Sequence, residues 1–140
     1  MTKTLYQKTV TIWNYLAGGT WTKETWYPTV ITNVRLVISK GNNVLRSGLA
    51  TADTARLHIS DDISVPDKAY INPIAWQNHP DTYYTLVSND HSFFTEGDSS
   101  TEDSTQSSFF EYMKSRYEHC YKISSVDRFE VIPHFEVFGK

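Results

Sequence analysis

The residues of this chain that could do chemistry are five histidines, one cysteine and a few groups of carboxylates. His58, His79, His91, His119 and His134 are scattered. None stands at ligand spacing along the chain from another His, Cys or Asp except in the adjacent pair His119 and Cys120, and helix neighbours point about 100° apart, a poor geometry for chelation. No metal site and no cofactor is expected. Cys120 ends an amphipathic stretch, where a lone thiol reads as a small buried hydrophobe rather than a nucleophile. Asp61 and Asp62, and Glu96, Asp98, Glu102 and Asp103, lie among turn formers with nothing to desolvate one of them for acid/base work. The phosphate-cradling G-x-x-x-x-G-K-[ST], the dinucleotide G-x-G-x-x-G, the zinc-hydrolase H-E-x-x-H and the nucleophile elbow G-x-S-x-G are all missing. The chain reads as non-catalytic.

Binding chemistry has two candidate seats. Trp21, Trp26 and Tyr27 could stack sugars or bases, but only Lys23 interleaves with them, too little positive charge for a single-strand groove. Hydrophobic packing, or an interface between subunits, suits them better. Residues 40–51 hold Lys40, Asn42, Asn43 and Arg46, a basic turn that could approach phosphates without reading sequence. One copy would bind negligibly, whereas copies repeated around an axis would add their fields.

The elements that must position these residues are mostly strands. Period-two patterning runs over Gln7 to Leu16, Trp21 to Tyr27, Thr29 to Ser39, Ala52 to Ser60, Tyr70 to Trp76, Thr82 to Ser88, Tyr121 to Val126 and Phe129 to Phe138, with turn formers between. Residues 95–108 contain eight Ser or Thr and four Asp or Glu, which suggests a flexible acidic insertion. Ser108 and Glu111 then form an S-x-x-E capping box, so a short helix is expected from Phe109 towards Cys120. Short strands separated by turns point to a mainly β fold, a small antiparallel β-barrel or sandwich with one short α-helix and long loops, in a single domain spanning residues 1–140.

Composition agrees with one packed domain. The chain has 140 residues, 39% of them hydrophobic and 14% aromatic, and a net charge of −3. The charge is uneven, +5 over residues 1–60 and −8 over the rest, which fits two differently charged faces. A single cysteine points to a reducing compartment, and neither an export signal nor a membrane span is expected.

The order of these pieces resembles the small head-tail joining proteins of tailed bacteriophages, in particular the head-completion (stopper, or head-closure) type of Gram-positive hosts. The resemblance is carried by an opening T-V-T-I-W strand, W-Y-P-T-V-I-T-N-V, a basic loop, A-R-L-H-I-S, F-F-T-E-G-D and the closing Y-K-I-S-S-V-D-R-F-E-V-I-P-H-F-E-V-F-G-K. It implies a structural virion protein of the neck, a ring of six or twelve copies assembled in the host cytoplasm. That ring would close the DNA-filled head, meeting portal and adaptor proteins on one side and the tail terminator on the other. It also implies that residues 40–51 reach into the channel, with Lys40, Asn42, Asn43 and Arg46 near packaged double-stranded DNA, and that Trp21, Trp26, Tyr27 and Phe138 serve subunit or partner contacts. The alternatives are another phage ring component, such as a tail terminator or tail-end protein, and a β-sandwich carbohydrate-binding module.

Overall fold

The computed structural model describes residues 7–19, 21, 23–39 and 53–140. The loop expected over residues 40–51 lies outside them. Among the described residues, nine strands and two helices follow in the order β1 (Lys8–Leu16), β2 (Thr25–Ser39), β3 (Thr54–Ser60), β4 (Val65–Pro66), β5 (Ala69–Tyr70), α1 (Pro73–Trp76), β6 (Tyr83–Tyr84), β7 (Phe93–Glu96), α2 (Phe109–Arg116), β8 (Cys120–Phe129) and β9 (His134–Gly139). Six strands close on themselves as β1-β7-β8-β9-β3-β2, and β2 returns to β1. Every pairing in this ring is antiparallel. The result is a β-barrel made of two three-stranded meanders joined edge to edge, with β4 an extra strand on β2. Closure leaves the ring without free edges, which removes the exposed backbone groups that would template aggregation.

β2 shows how the sequence shapes the ring. Two separate strands were expected around Pro28, yet one continuous strand of fifteen residues runs through it. Pro28 pairs with Trp13 of β1, while its carbonyl faces the other way and accepts from Lys68 Nζ at 2.8 Å. On that outer side β4 begins only at Ile31, so the missing proline N–H removes no ladder bond. Further on, Asn33 adopts a left-handed φ of 57°, and the β1 register slips between Lys8 and Val10. This bulge puts Ile31 and Val34, which simple alternation assigns to opposite faces, into the same core with no exposed surface. Past it, β2 leaves β1 and pairs with β3 from Arg35 to Ser39.

Two hydrophobic layers result. The barrel interior holds Val10, Ile12, Leu57, Phe94, Ile123 and Val137 among others. Gly139 sits where an added Cβ would come within 2.7 Å of Tyr121 Cβ, so the closing strand needs glycine to approach its neighbours. The second layer lies outside the barrel wall, where Trp13, Trp26, Phe93, Phe109, Met113 and Cys120 pack together under α2. β5 and β6 form a small parallel pair. Of residues Tyr70 to Trp76, expected as a strand, only Tyr70 is in one, ending β5, and Pro73–Trp76 form α1 instead, because Asn72 Oδ1 accepts from the Ala75 amide and Pro73 stands at the first helical position.

The structure adjusts two expectations around residues 95–108. Thr95 belongs to β7, and Thr95 and Ser99 are fully buried. Ser99 Oγ accepts from Trp13 Nε1 at 2.9 Å and bonds to Thr95 Oγ1, while its amide donates to Thr11 Oγ1. The start of the tract therefore docks on the barrel through the hydroxyls of Thr95 and Ser99, which composition alone cannot indicate, while most of residues 100–108 is exposed. The capping box is not formed: Ser108 is left-handed at φ 51° and its side chain caps nothing. The helix also ends at Arg116, short of Cys120, which opens β8.

Candidate functional site

Alternation along β3 and β9 aims one set of side chains into the barrel and the other outwards. Leu57 and Ile59 are buried with Phe135 and Val137; Arg56, His58, His134, Glu136 and Phe138 occupy the opposite, outer face. The register sets His58 opposite Glu136, Ser60 opposite His134 and Arg56 opposite Phe138. His58, His134 and Glu136 thus meet, with one donor atom from each within 4.8 Å of the others. The expectation that no histidine but His119 stands at ligand spacing from another His, Cys or Asp, and with it that of no metal site, looked only along the chain; across the β3–β9 ladder His58 and His134 meet.

The contacts within this cluster are specific. His134 Nε2 lies 3.1 Å from Glu136 Oε2, and its Nδ1 lies 2.7 Å from the Ile132 carbonyl. His58 Nδ1 is 4.0 Å from the same carboxylate oxygen. His58 Nε2 is buried without a hydrogen-bond partner among the described residues. The two imidazoles stack with centroids 5.9 Å apart, and Phe129 stacks on the far side of His134 at 4.8 Å. Burial pushes the His58 pKa down, against the pull of Glu136 and together with the charges of Arg35, His134 and Arg56. The His134 pKa is raised, first by the Ile132 carbonyl and then by Glu136. Near neutral pH His58 is a neutral imidazole with an available ring-nitrogen lone pair, beside a histidine–carboxylate pair that shares a proton.

The residues singled out from sequence fall in different places. Lys40, Asn42, Asn43 and Arg46 lie outside the described residues. Trp21 is 95% exposed in the β1–β2 turn. Trp26 is buried in the layer under α2, and Tyr27 packs edge-on against Trp76. The three rings therefore do not form one flat platform. Phe138 is half-buried with the Arg56 guanidinium 5.2 Å from its ring centroid. Cys120 is fully buried, and burial pushes its thiol up to about 12, which leaves it inert at neutral pH. His119 bonds to the Tyr121 hydroxyl. Sequence reasoning missed the His58–His134–Glu136 cluster; its one local trace is the H-x-E spacing of His134 and Glu136, which puts both on one face of a strand.

The closed ring of strands defines the class: a small antiparallel β-barrel protein with an extra strand and few helices. The chain belongs to DUF6751, a family of unknown function whose profile matches residues 5–140. Comparisons with curated proteins and with solved structures returned no match.

Proposed function

We propose that this chain is a structural subunit that works through contacts between copies, as a ring component of a tailed-phage neck that closes the head and joins it to the tail. The observation carrying the contact reading is where three of the most exposed large apolar side chains lie, although Ile74 on α1, Val65 on β4 and Val37 on β2 are exposed too. Val131 and Ile132, 98% and 71% exposed, occupy the β8–β9 turn, and Trp21 occupies the β1–β2 turn. Strand polarity puts both turns at the same end of the barrel. Apolar side chains held out on one end of an otherwise well-packed domain are the signature of an interaction surface. The ring and the neck come from the resemblance in the order of strands and in the closing H-F-E-V segment. In this reading the basic residues Lys40 and Arg46 face packaged DNA, and the neighbours are portal, adaptor and tail-terminator proteins. The carbohydrate-platform alternative loses two of its three rings, since Trp26 and Tyr27 are occupied within the fold.

Native mass spectrometry and negative-stain imaging of the chain, alone and mixed with the products of neighbouring genes, test the reading. Rings, or incorporation into a portal-containing complex, are the expected result. Changing Val131 and Ile132 together to serine is expected to abolish assembly while leaving the barrel folded. A chain that stays monomeric in every mixture and binds an oligosaccharide overturns the proposal.

A further inference from the structure

We propose that His58, His134 and Glu136 form a binding site for a divalent transition-metal ion of the zinc class on the outer face of β3 and β9. Two imidazoles and one carboxylate are a donor set that zinc accepts, with water completing a tetrahedron. Donors sharing one zinc ion stand about 3.3 Å apart, given metal–donor lengths of about 2.0–2.1 Å. His134 Nε2 and Glu136 Oε2, 3.1 Å apart, already meet that spacing. His58 Nδ1 is 4.0 Å from the same oxygen and all three donors lie within 4.8 Å of one another, so closing the triangle takes side-chain shifts of up to about 1.5 Å.

One further feature points the same way. The His134 Nδ1–H donates to the Ile132 carbonyl, which fixes the tautomer and turns Nε2, the ligating nitrogen, towards Glu136. His58 is half-buried, its side chain 12% exposed, and Nδ1 is the nitrogen it brings to the carboxylate; Nε2, unpartnered among the described residues, is not a donor to this site. The surrounding charges are mixed. Arg35 on β2 and Arg56 on β3 act against a cation at His58. Asp127, opposite Glu136 on β8, and Asp61, which acts on His134, favour one. The cluster lies wholly within one chain, so metal binding stands or falls separately from ring assembly.

The test is calorimetric titration of zinc into the full chain, purified without a histidine tag and stripped with chelator, alongside thermal unfolding with and without the metal. One-to-one binding and a raised melting temperature are expected. Magnesium, which prefers an all-oxygen octahedron, is expected to do neither. His134→Gln and Glu136→Gln, both on partly exposed side chains, are expected to weaken zinc binding by at least roughly tenfold while melting like the parent in chelator. His58→Gln is expected to do the same. No heat and no thermal shift with zinc overturns the site, as does binding that the Glu136→Gln variant leaves unchanged.

Discussion

The barrel wall presents two outer faces that the sequence treats in opposite ways. Over β1 and β7, Trp13 and Phe93 point outwards and are covered by Phe109 and Met113 of α2, so that β1 is buried on both faces. Over β3 and β9, the outward positions carry Arg56, His58, His134, Glu136 and Phe138, and these strands alternate cleanly between buried and accessible residues. The difference teaches what alternation reports. A strand whose outer face is covered loses its polar phase, and one whose outer face meets solvent keeps it. The covered face contributes stability through aromatic burial, whereas the side chains of the open face hold mainly one another. Its charged and ring groups are therefore available for ligands.

Truncating the covered face is the strongest way to break this comparison. Phe109 is fully buried, with its ring 4.9 Å from Trp13, 5.5 Å from Trp26 and 5.6 Å from Phe93. Phe109→Ala is expected to cost about 3–5 kcal/mol in urea unfolding, the transfer of the ring plus the cavity it leaves. Phe138→Ala on the open face is expected to cost well under half of that. Equal losses would mean that the two faces do not differ as described.

The same contrast explains how much of the molecule is legible in its sequence. The β class, β1 and the β3 strand follow from period-two patterning, because each is a local run whose inward residues are apolar. The closing run expected over Phe129 to Phe138 holds only from His134, since Glu130 to Pro133 make the β8–β9 turn and leave Val131 exposed. The single β2 strand does not follow in this way. Pro28 ends a strand by local rules and is tolerated here only because its outward side has no strand neighbour, a fact of the ring. Thr95 and Ser99 read as solvated, yet pair with each other, and Ser99 with Trp13 and Thr11, residues far away in sequence. The histidine cluster is likewise a product of register: nothing near His58 announces that Glu136 will stand opposite it.

A smaller effect sharpens the account of what pins α2 to the wall. Glu102 accepts from the Tyr117 hydroxyl at 2.6 Å, from Tyr112 and from Arg116 Nε, tying the segment before the helix to the helix and the residue that follows it. The Tyr117 bond, helped by the Arg116 charge, holds the Glu102 carboxyl below its ordinary 4.5. A carboxyl depressed in the folded state stabilises fully above the unfolded value, and that contribution is lost as pH falls through the folded one. Glu102→Ala is thus expected to cost about 1–2 kcal/mol at neutral pH, for hydrogen bonds to a charged acceptor. The difference from the parent should shrink below pH 4.5. Urea melts at neutral and acid pH check both the size and the direction. A penalty that persists unchanged in acid would assign the effect to packing rather than to charge.

The weakest expected coupling lies on the open face, between Arg56 and Phe138. The guanidinium stands 5.2 Å from the ring centroid, but Arg56 is exposed, so water competes for its charge. A double-mutant cycle through Arg56→Ala and Phe138→Ala is expected to give a coupling of about 0.5–1 kcal/mol, the range for a hydrated cation on an aromatic face. The size of that number reports the state of the surface. Coupling at or above about 2 kcal/mol requires a desolvated guanidinium. In the isolated chain such a value would mean that this face is covered, and the contrast with the face under α2 would collapse. If the same cycle gives the small coupling in the free chain and the large one in an assembled complex, a neighbouring copy has taken over on β3 and β9 the covering role that α2 plays on β1 and β7.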